Sequence, residues 1–234
     1  MLISRTKRWI VLPISYLVRR TFAAPALNGD WSGPGWRQAE TLEVSHFRPE
    51  SGAHHPHTQA KVLHDGSSIY VYFRVEDQYV RSVQTQYLGP VCTDSCVEWF
   101  VQPRPDKGYI NFEVNCGGTL HCSYVEDPTR VPGGFKRFAF VDESWAKQIQ
   151  LNHSMPAVVE PEIAHACTWT VAYRVPLALF EAYTGPLGEL SGQVWRANFY
   201  KCADQTSHPH WAAWSAVQEL NFHRPQDFAP IQFE

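Results

Sequence analysis

Charge and methionine are both scarce in this chain. Charged residues fill 18% of the 234 positions and only two methionines occur. So little charge excludes a long coiled coil and a disordered polyelectrolyte. No apolar run approaches the roughly 18 residues that a membrane-spanning helix needs. The six cysteines include no Cys-x-x-Cys pair, which removes the usual spacing of zinc ribbons and thioredoxin-like redox sites. Basic groups are thin after the start: residues 21–234 carry 15 of them against 23 acids, a balance that repels phosphate backbones and argues against a nucleic-acid partner. Flat rings are abundant instead, with nine Trp, ten Tyr and thirteen Phe.

The first twenty residues hold Arg5, Lys7, Arg8, Arg19 and Arg20 and no acid. A basic start followed by the short apolar stretch Trp9 to Val18 has the plan of a secretory leader, but Pro13 interrupts it and Arg19–Arg20 follows at once. A first β-strand over Ile14–Arg20 is the plainer expectation, and the stretch leaves export undecided. The cysteines (Cys92, Cys96, Cys116, Cys122, Cys167 and Cys202) read as reduced thiols in a packed core, because a chain this long folds without staples.

The dominant period is two. In Ser68–Asp77, Ile69, Val71, Phe73 and Val75 alternate with Tyr70, Tyr72, Arg74 and Glu76. Thr168–Pro176 repeats the pattern with Trp169, Val171, Tyr173 and Val175. Further strands are expected over Leu42–Phe47, Thr58–His64, Ser95–Gln102, Tyr109–Cys116, Leu120–Val125, Gln148–His153, Val194–Cys202 and Pro230–Phe233. Asp65–Gly66 and Gly117–Gly118 mark turns between them. Only Pro176–Tyr183, with a proline at its start and Gly185 beyond its end, reads as a helix. The expected fold is all-β, an antiparallel β-sandwich of jelly-roll type, with residues 1–234 as a single domain.

Polar residues fall in rows on the strand faces. Asn111, Glu113 and Asn115 lie opposite Ile110, Phe112 and Val114. Arg196 and Asn198 lie opposite Trp195, Ala197 and Phe199, and Glu98 lies opposite Val97, Trp99 and Val101. Were these strands neighbours, the rows would merge into one polar patch suited to hydroxyls: carboxylates and amides bind them in pairs, and rings cover apolar sugar faces. A merely solvated sheet face is the competing reading, although an Asn–Glu–Asn row in a strand calls for compensation. After Arg196 the chain enters a loop holding Lys201, Asp204, His208, His210, Trp211 and Trp214. Each late indole is either a lid on the core or a stacking platform. His-Pro-His is too short to name a metal site, and His54, His55 and His57 read as a solvated loop.

These segments resemble the carbohydrate-binding module family 9-like proteins, relatives of the DOMON domains. The resemblance runs through LNGDWSGPGW, AKVLHDGSSIYVYFRVED, DSCVEWFVQP, YINFEVNCGG, VPLALFEAY, QVWRANFYKC and NFHRPQDFAPIQFE, in order, from about Ile14 to Glu234. It implies a β-sandwich, often with structural calcium and no required cofactor, that binds sugars between rings over a polar strand face. It places Glu98 at the family's acidic position, Asn115 at the amide before the Gly-rich turn, and Trp211 or Trp214 where a late ring stacks. Tyr87 and Trp36 are candidates for the partner ring. Neither Met1 nor Met155 matches a haem-ligand position, which argues against haem.

Three functions compete. The first is a binding module for a mono- or oligosaccharide, using Glu98, Glu113, Asn115, Arg196, Asn198, Lys201, His208, His210, Trp211 and Trp214. The second is a carbohydrate-active enzyme, a glycosidase or lyase, whose catalytic candidates are Glu98, Glu113, Asp204 and His210, with Asp94 as a further carboxylate. The third is a structural sandwich whose acids hold calcium.

Overall fold

The computed structural model describes residues 14–234, so Arg5, Lys7, Arg8 and most of the leader-like stretch lie outside the described residues. Sixteen strands follow in chain order among these residues: β1 (Tyr16–Arg20), β2 (Leu42–Glu43), β3 (His46–Phe47), β4 (His57–His64), β5 (Ser68–Asp77), β6 (Val80–Ser82), β7 (Cys96–Gln102), β8 (Tyr109–Asn115), β9 (Leu120–Val131), β10 (Gly134–Phe140), β11 (Gln150–His153), β12 (Val159–Ile163), β13 (Cys167–Pro176), β14 (Val194–Cys202), β15 (Trp211–Ala213) and β16 (Ala229–Phe233). Helix α1 (Glu143–Ala146) precedes β11 and α2 (Leu177–Thr184) follows β13. No helix among the described residues is long and apolar enough to cross a membrane.

Two antiparallel leaves face each other. One runs β10-β9-β8-β7-β14-β16, the other β4-β5-β13-β11, and β1 belongs to both. Residues Tyr16–Val18 pair in parallel with Ile231–Phe233 of β16, while Arg19–Arg20 pair with Leu63–His64 of β4. This is the β-sandwich that the period-two pattern anticipates.

Alternation explains the core. The inward residues of β7, β8 and β14 (Trp99, Phe112 and Phe199 among them) meet Val71, Phe73, Val171 and Tyr173 of the opposite leaf, all at 0–1% exposure. Trp99 stacks on Phe112 at 5.3 Å and on Phe199 at 6.2 Å, and α2 closes one end with Phe180, 6.0 Å from Trp99. Packed rings explain why two methionines suffice.

The β4–β5 turn forms because the Asp65 carboxylate accepts from the backbone N–H groups of Ser67 and Ser68, each at 2.8 Å, while Gly66 takes φ +87°. The β8–β9 turn needs Gly118 for two reasons: its φ is +87°, and an added Cβ would lie 2.3 Å from the His153 ring. The expected strand over Leu42–Phe47 splits into β2 and β3, which pair with β4 and β15 respectively. Short β6, β12 and β15, the edge strand β10 and the four-residue α1 lack a periodic pattern long enough to read.

All six cysteines are free, and Cys116 and Cys122 sit in the core. The histidine loop is not uniformly solvated. His55 and His57 are exposed, but the imidazole of His54 is half-buried with Nε2 2.7 Å from Asp77 Oδ1.

Candidate functional site

The outer face of the β9-β8-β7-β14 leaf is roofed rather than open. Residues 215–228 fold back over it, burying Phe100, Tyr109, Tyr200 and Phe228 in a second apolar cluster with Val217 and Phe222. The roof leaves a pocket of about 600 Å³ lined by Cys92, Glu98, Glu113, Arg130, Cys202, Asp204, Trp211 and Glu219–His223. That volume lies within the range of small-molecule sites.

Strand register builds the floor. Glu98 stands directly opposite Glu113 across the β7–β8 pair, and Cys96 opposite Cys202 across β7–β14. Glu98 is 3% exposed and Glu113 8%, so both carboxyls meet little beyond the pocket itself. The Asn111 amide donates to Glu113 and is fixed in turn by Ser123, whose N–H and hydroxyl donate to the Asn111 carbonyl oxygen. On the other side, the Cys202 thiol donates to Glu98 Oε1 at 3.1 Å.

The walls come from loops. The backbone N–H of Asp204 donates to Cys92 O at 3.0 Å, and the Trp211 indole donates to Asp204 Oδ1 at 2.7 Å, which sets the carboxyl against the ring. Phe222 stacks on Tyr200 with centroids 4.0 Å apart, and His223 Nδ1 lies 2.8 Å from the Tyr109 hydroxyl. The Arg130 guanidinium rests over Phe135 at 4.1 Å.

Burial makes these acids unusual. Desolvation, then the facing Glu113 carboxyl, hold Glu98 well above the ordinary carboxylate range, and desolvation raises Glu113 and Asp204 as well. A protonated carboxyl can donate one hydrogen bond and still accept others, as a hydroxyl-bearing ligand requires.

The structure thus brings Glu98, Glu113, Asp204 and Trp211 together and separates the other expected site residues. Asn115 is consumed by the turn: its amide donates to Asp94 Oδ2 and Gln84 O at 2.9 Å, and its carbonyl accepts from Thr119 N. Asp94 is spent there too, accepting from Val83 N and Gln84 N. Asn198 ties down the roof through both the N–H and the C=O of Ser215. Arg196 is exposed, donates to Phe228 O, and is absent from the pocket lining.

Lys201 shares the inward parity of Trp195 and Phe199. Its ammonium lies at the end of the core, 2.7 Å from His210 Nε2 and 3.6 Å from Asp77 Oδ2. His210 is 1% exposed in that cluster, and His208 lies flat on Tyr79 at 3.5 Å. Trp214 is 4% exposed and wedged edge-on against Tyr16 and Phe199, so it is a core residue rather than a platform. Trp36 is buried against Tyr72, and the Tyr87 hydroxyl donates to Val141 O, both away from the pocket.

The pocket also uses Arg130, Glu219, Asn221, Phe222 and His223, which the strand pattern does not reach. For Asn221, Phe222 and His223 the only signal is the ring-and-amide composition of NFHRPQD beside the last strand; Arg130 and Glu219 carry none. Calcium finds no cage of three acids among the described residues. The grouping of three metal-capable side chains found there is Cys96, Glu98 and Cys202.

Comparisons with known proteins agree with this architecture. A candidate carbohydrate-binding protein from Bacteroides uniformis superposes with TM-score 0.80 at 25% identity, covering 95% of this chain and 100% of that one. Family 9 carbohydrate-binding modules from Caldicellulosiruptor kristjanssonii share the fold at 13% identity. One, in complex with glucose, has TM-score 0.60 and covers 93% of this chain and 95% of its own; another, with cellotriose, has 0.63 and covers 94% of each. No curated protein matches the chain. Carbohydrate-binding family 9 matches residues 37–233, and the chain belongs to that family.

Proposed function

We propose that the pocket over the β7–β8 floor is where this carbohydrate-binding chain holds a mono- or oligosaccharide. The observation that carries the reading is the opposed Glu98–Glu113 pair, nearly buried in a cavity of about 600 Å³ that Trp211 and Phe222 also line. Neutral or half-ionised carboxyls pair with sugar hydroxyls, Asp204 and Asn221 add polar contacts from the walls, and the indole offers a flat apolar face. The glucose and cellotriose complexes of the Caldicellulosiruptor modules make neutral glucosides the first ligands to try.

Both glutamates rise from one floor, an arrangement that favours holding a sugar over flanking a glycosidic bond from opposite sides. Calorimetry with a panel of neutral mono- and oligosaccharides tests the reading. Binding to the full chain, weakened at least tenfold by Glu98→Gln and by Trp211→Ala, is expected. Affinity unchanged in both variants places the sugar elsewhere, and new reducing ends after incubation would favour the enzymatic alternative.

A further inference from the structure

We propose that Cys96, Glu98 and Cys202 form a site for a zinc-class divalent metal in the pocket floor, with one coordination position open to the cavity. Cys96 and Cys202 are register partners on adjacent strands, and Glu98 projects from the same face two residues after Cys96. Their ligand atoms all lie within 4.8 Å of one another, and Cys202 Sγ is already 3.1 Å from Glu98 Oε1.

Tetrahedral zinc, with bonds of about 2.3 Å to sulfur and about 2.0 Å to oxygen, needs donors roughly 3.5–3.8 Å apart. Side-chain rotation of about 1 Å or less closes the difference, with no movement of the strands. Two sulfurs and one carboxylate select a soft or borderline ion over calcium or magnesium. Three protein ligands and an exposed fourth position are the pattern of an open rather than a closed zinc site. Glu98 and Cys202 line the pocket together with Cys92 and Asp204, so the cavity is the side from which a fourth ligand would enter.

No cation from the adjoining strand competes for these donors. Lys201, the neighbouring cation on β14, points through the sheet to Asp77 and His210 on the opposite face. As the metal binds, the two thiols and the protonated Glu98 carboxyl pass their protons to solvent, so no oxidant or reductant enters the balance. The site goes beyond the sugar reading and does not depend on it.

Cobalt(II) is the probe, added to the reduced, metal-free, full-length chain. One equivalent should bring up a thiolate-to-cobalt charge-transfer band in the near ultraviolet together with strong visible d–d bands, and zinc should bleach both. Cys96→Ser and Cys202→Ser should each abolish the charge-transfer signature, Glu98→Gln should weaken cobalt binding at least tenfold, and Cys167→Ser should change nothing. Zinc added to the unmodified chain in weak buffer should release at least two protons per ion, two from the thiols and the remainder from the Glu98 carboxyl, a readout that needs no variant. Absence of the charge-transfer band, its persistence in the Cys96→Ser/Cys202→Ser double variant, or zinc addition without proton release each overturns the proposal. So does a chain whose Cys96 and Cys202 prove joined as a disulfide that reductant does not open. Loss of sugar binding alone leaves it standing.

Discussion

Replacing each of two neighbouring indoles by alanine separates core from pocket. Trp214 is 4% exposed, its ring edge-on to Phe199 at 5.7 Å and to Tyr16 at 6.5 Å, and its backbone N–H donates to Phe199 O at 2.9 Å. Truncating such a ring removes its transfer energy and leaves a void that two strands cannot close, a cost of about 3–5 kcal/mol. That is a large share of the roughly 5–15 kcal/mol by which ordinary domains are stable. Trp211, only three residues earlier, is half-buried and makes its polar contact with Asp204 at the pocket wall. Trp211→Ala should therefore cost only about 1 kcal/mol of stability, while tenfold weaker sugar binding corresponds to about 1.4 kcal/mol. Urea denaturation followed by far-ultraviolet circular dichroism, with calorimetry on the same samples, reads both quantities. A Trp214→Ala variant that keeps the parent midpoint while losing sugar affinity would refute the packing argument and move that indole to the ligand.

Two further predictions concern pH. His210 is held neutral by burial and by the Lys201 ammonium, with its pKa lowered to about 3. The unfolded chain gains a proton below the ordinary histidine value of about 6.5 that the native chain refuses, so His210 lowers stability as pH falls through that window. His210→Asn should flatten this part of the profile, and a difference from the parent that stays constant between pH 7 and pH 5 would contradict it. Glu98 acts in the opposite sense. Its raised pKa keeps a proton on the native chain that the unfolded chain releases, so stability falls as pH rises from about 4.5 through the raised value. The stability difference of Glu98→Gln over the parent should become more favourable with rising pH, and urea midpoints that move in parallel for the two proteins would refute the burial argument.

The leaves of the sandwich were readable because Ser68–Asp77 and Cys167–Pro176 alternate without a slip over ten paired residues. The same parity puts Glu98 and Glu113 on one face, and strand register then sets them opposite each other. Parity also carried a signal against Lys201, since it shares the side of Trp195, Ala197 and Phe199. Composition favoured polarity and hid that a lysine can enter a core when Asp77 and His210 receive it. Asn115 and Asn198 face outward as alternation requires, but local backbone groups take their hydrogen bonds. The walls had no period to read. Residues 219–223 reach the pocket by folding over a sheet face, which depends on contacts far apart along the chain, and Arg130 reaches it from the far end of β9, beyond the expected strand Leu120–Val125.

The double membership of β1 also bears on how the molecule comes into being. Residues 16–20 cannot be seated until both Leu63–His64 and Ile231–Phe233 exist to receive them. During synthesis one of those partners emerges early and the other more than one hundred and sixty residues later. A nascent chain therefore carries an unsealed seam between its leaves until Ile231–Phe233 have been made. Closing it is a non-local event of the kind that slows folding, and it ties completion of the barrier against hydration to the arrival of the final strand.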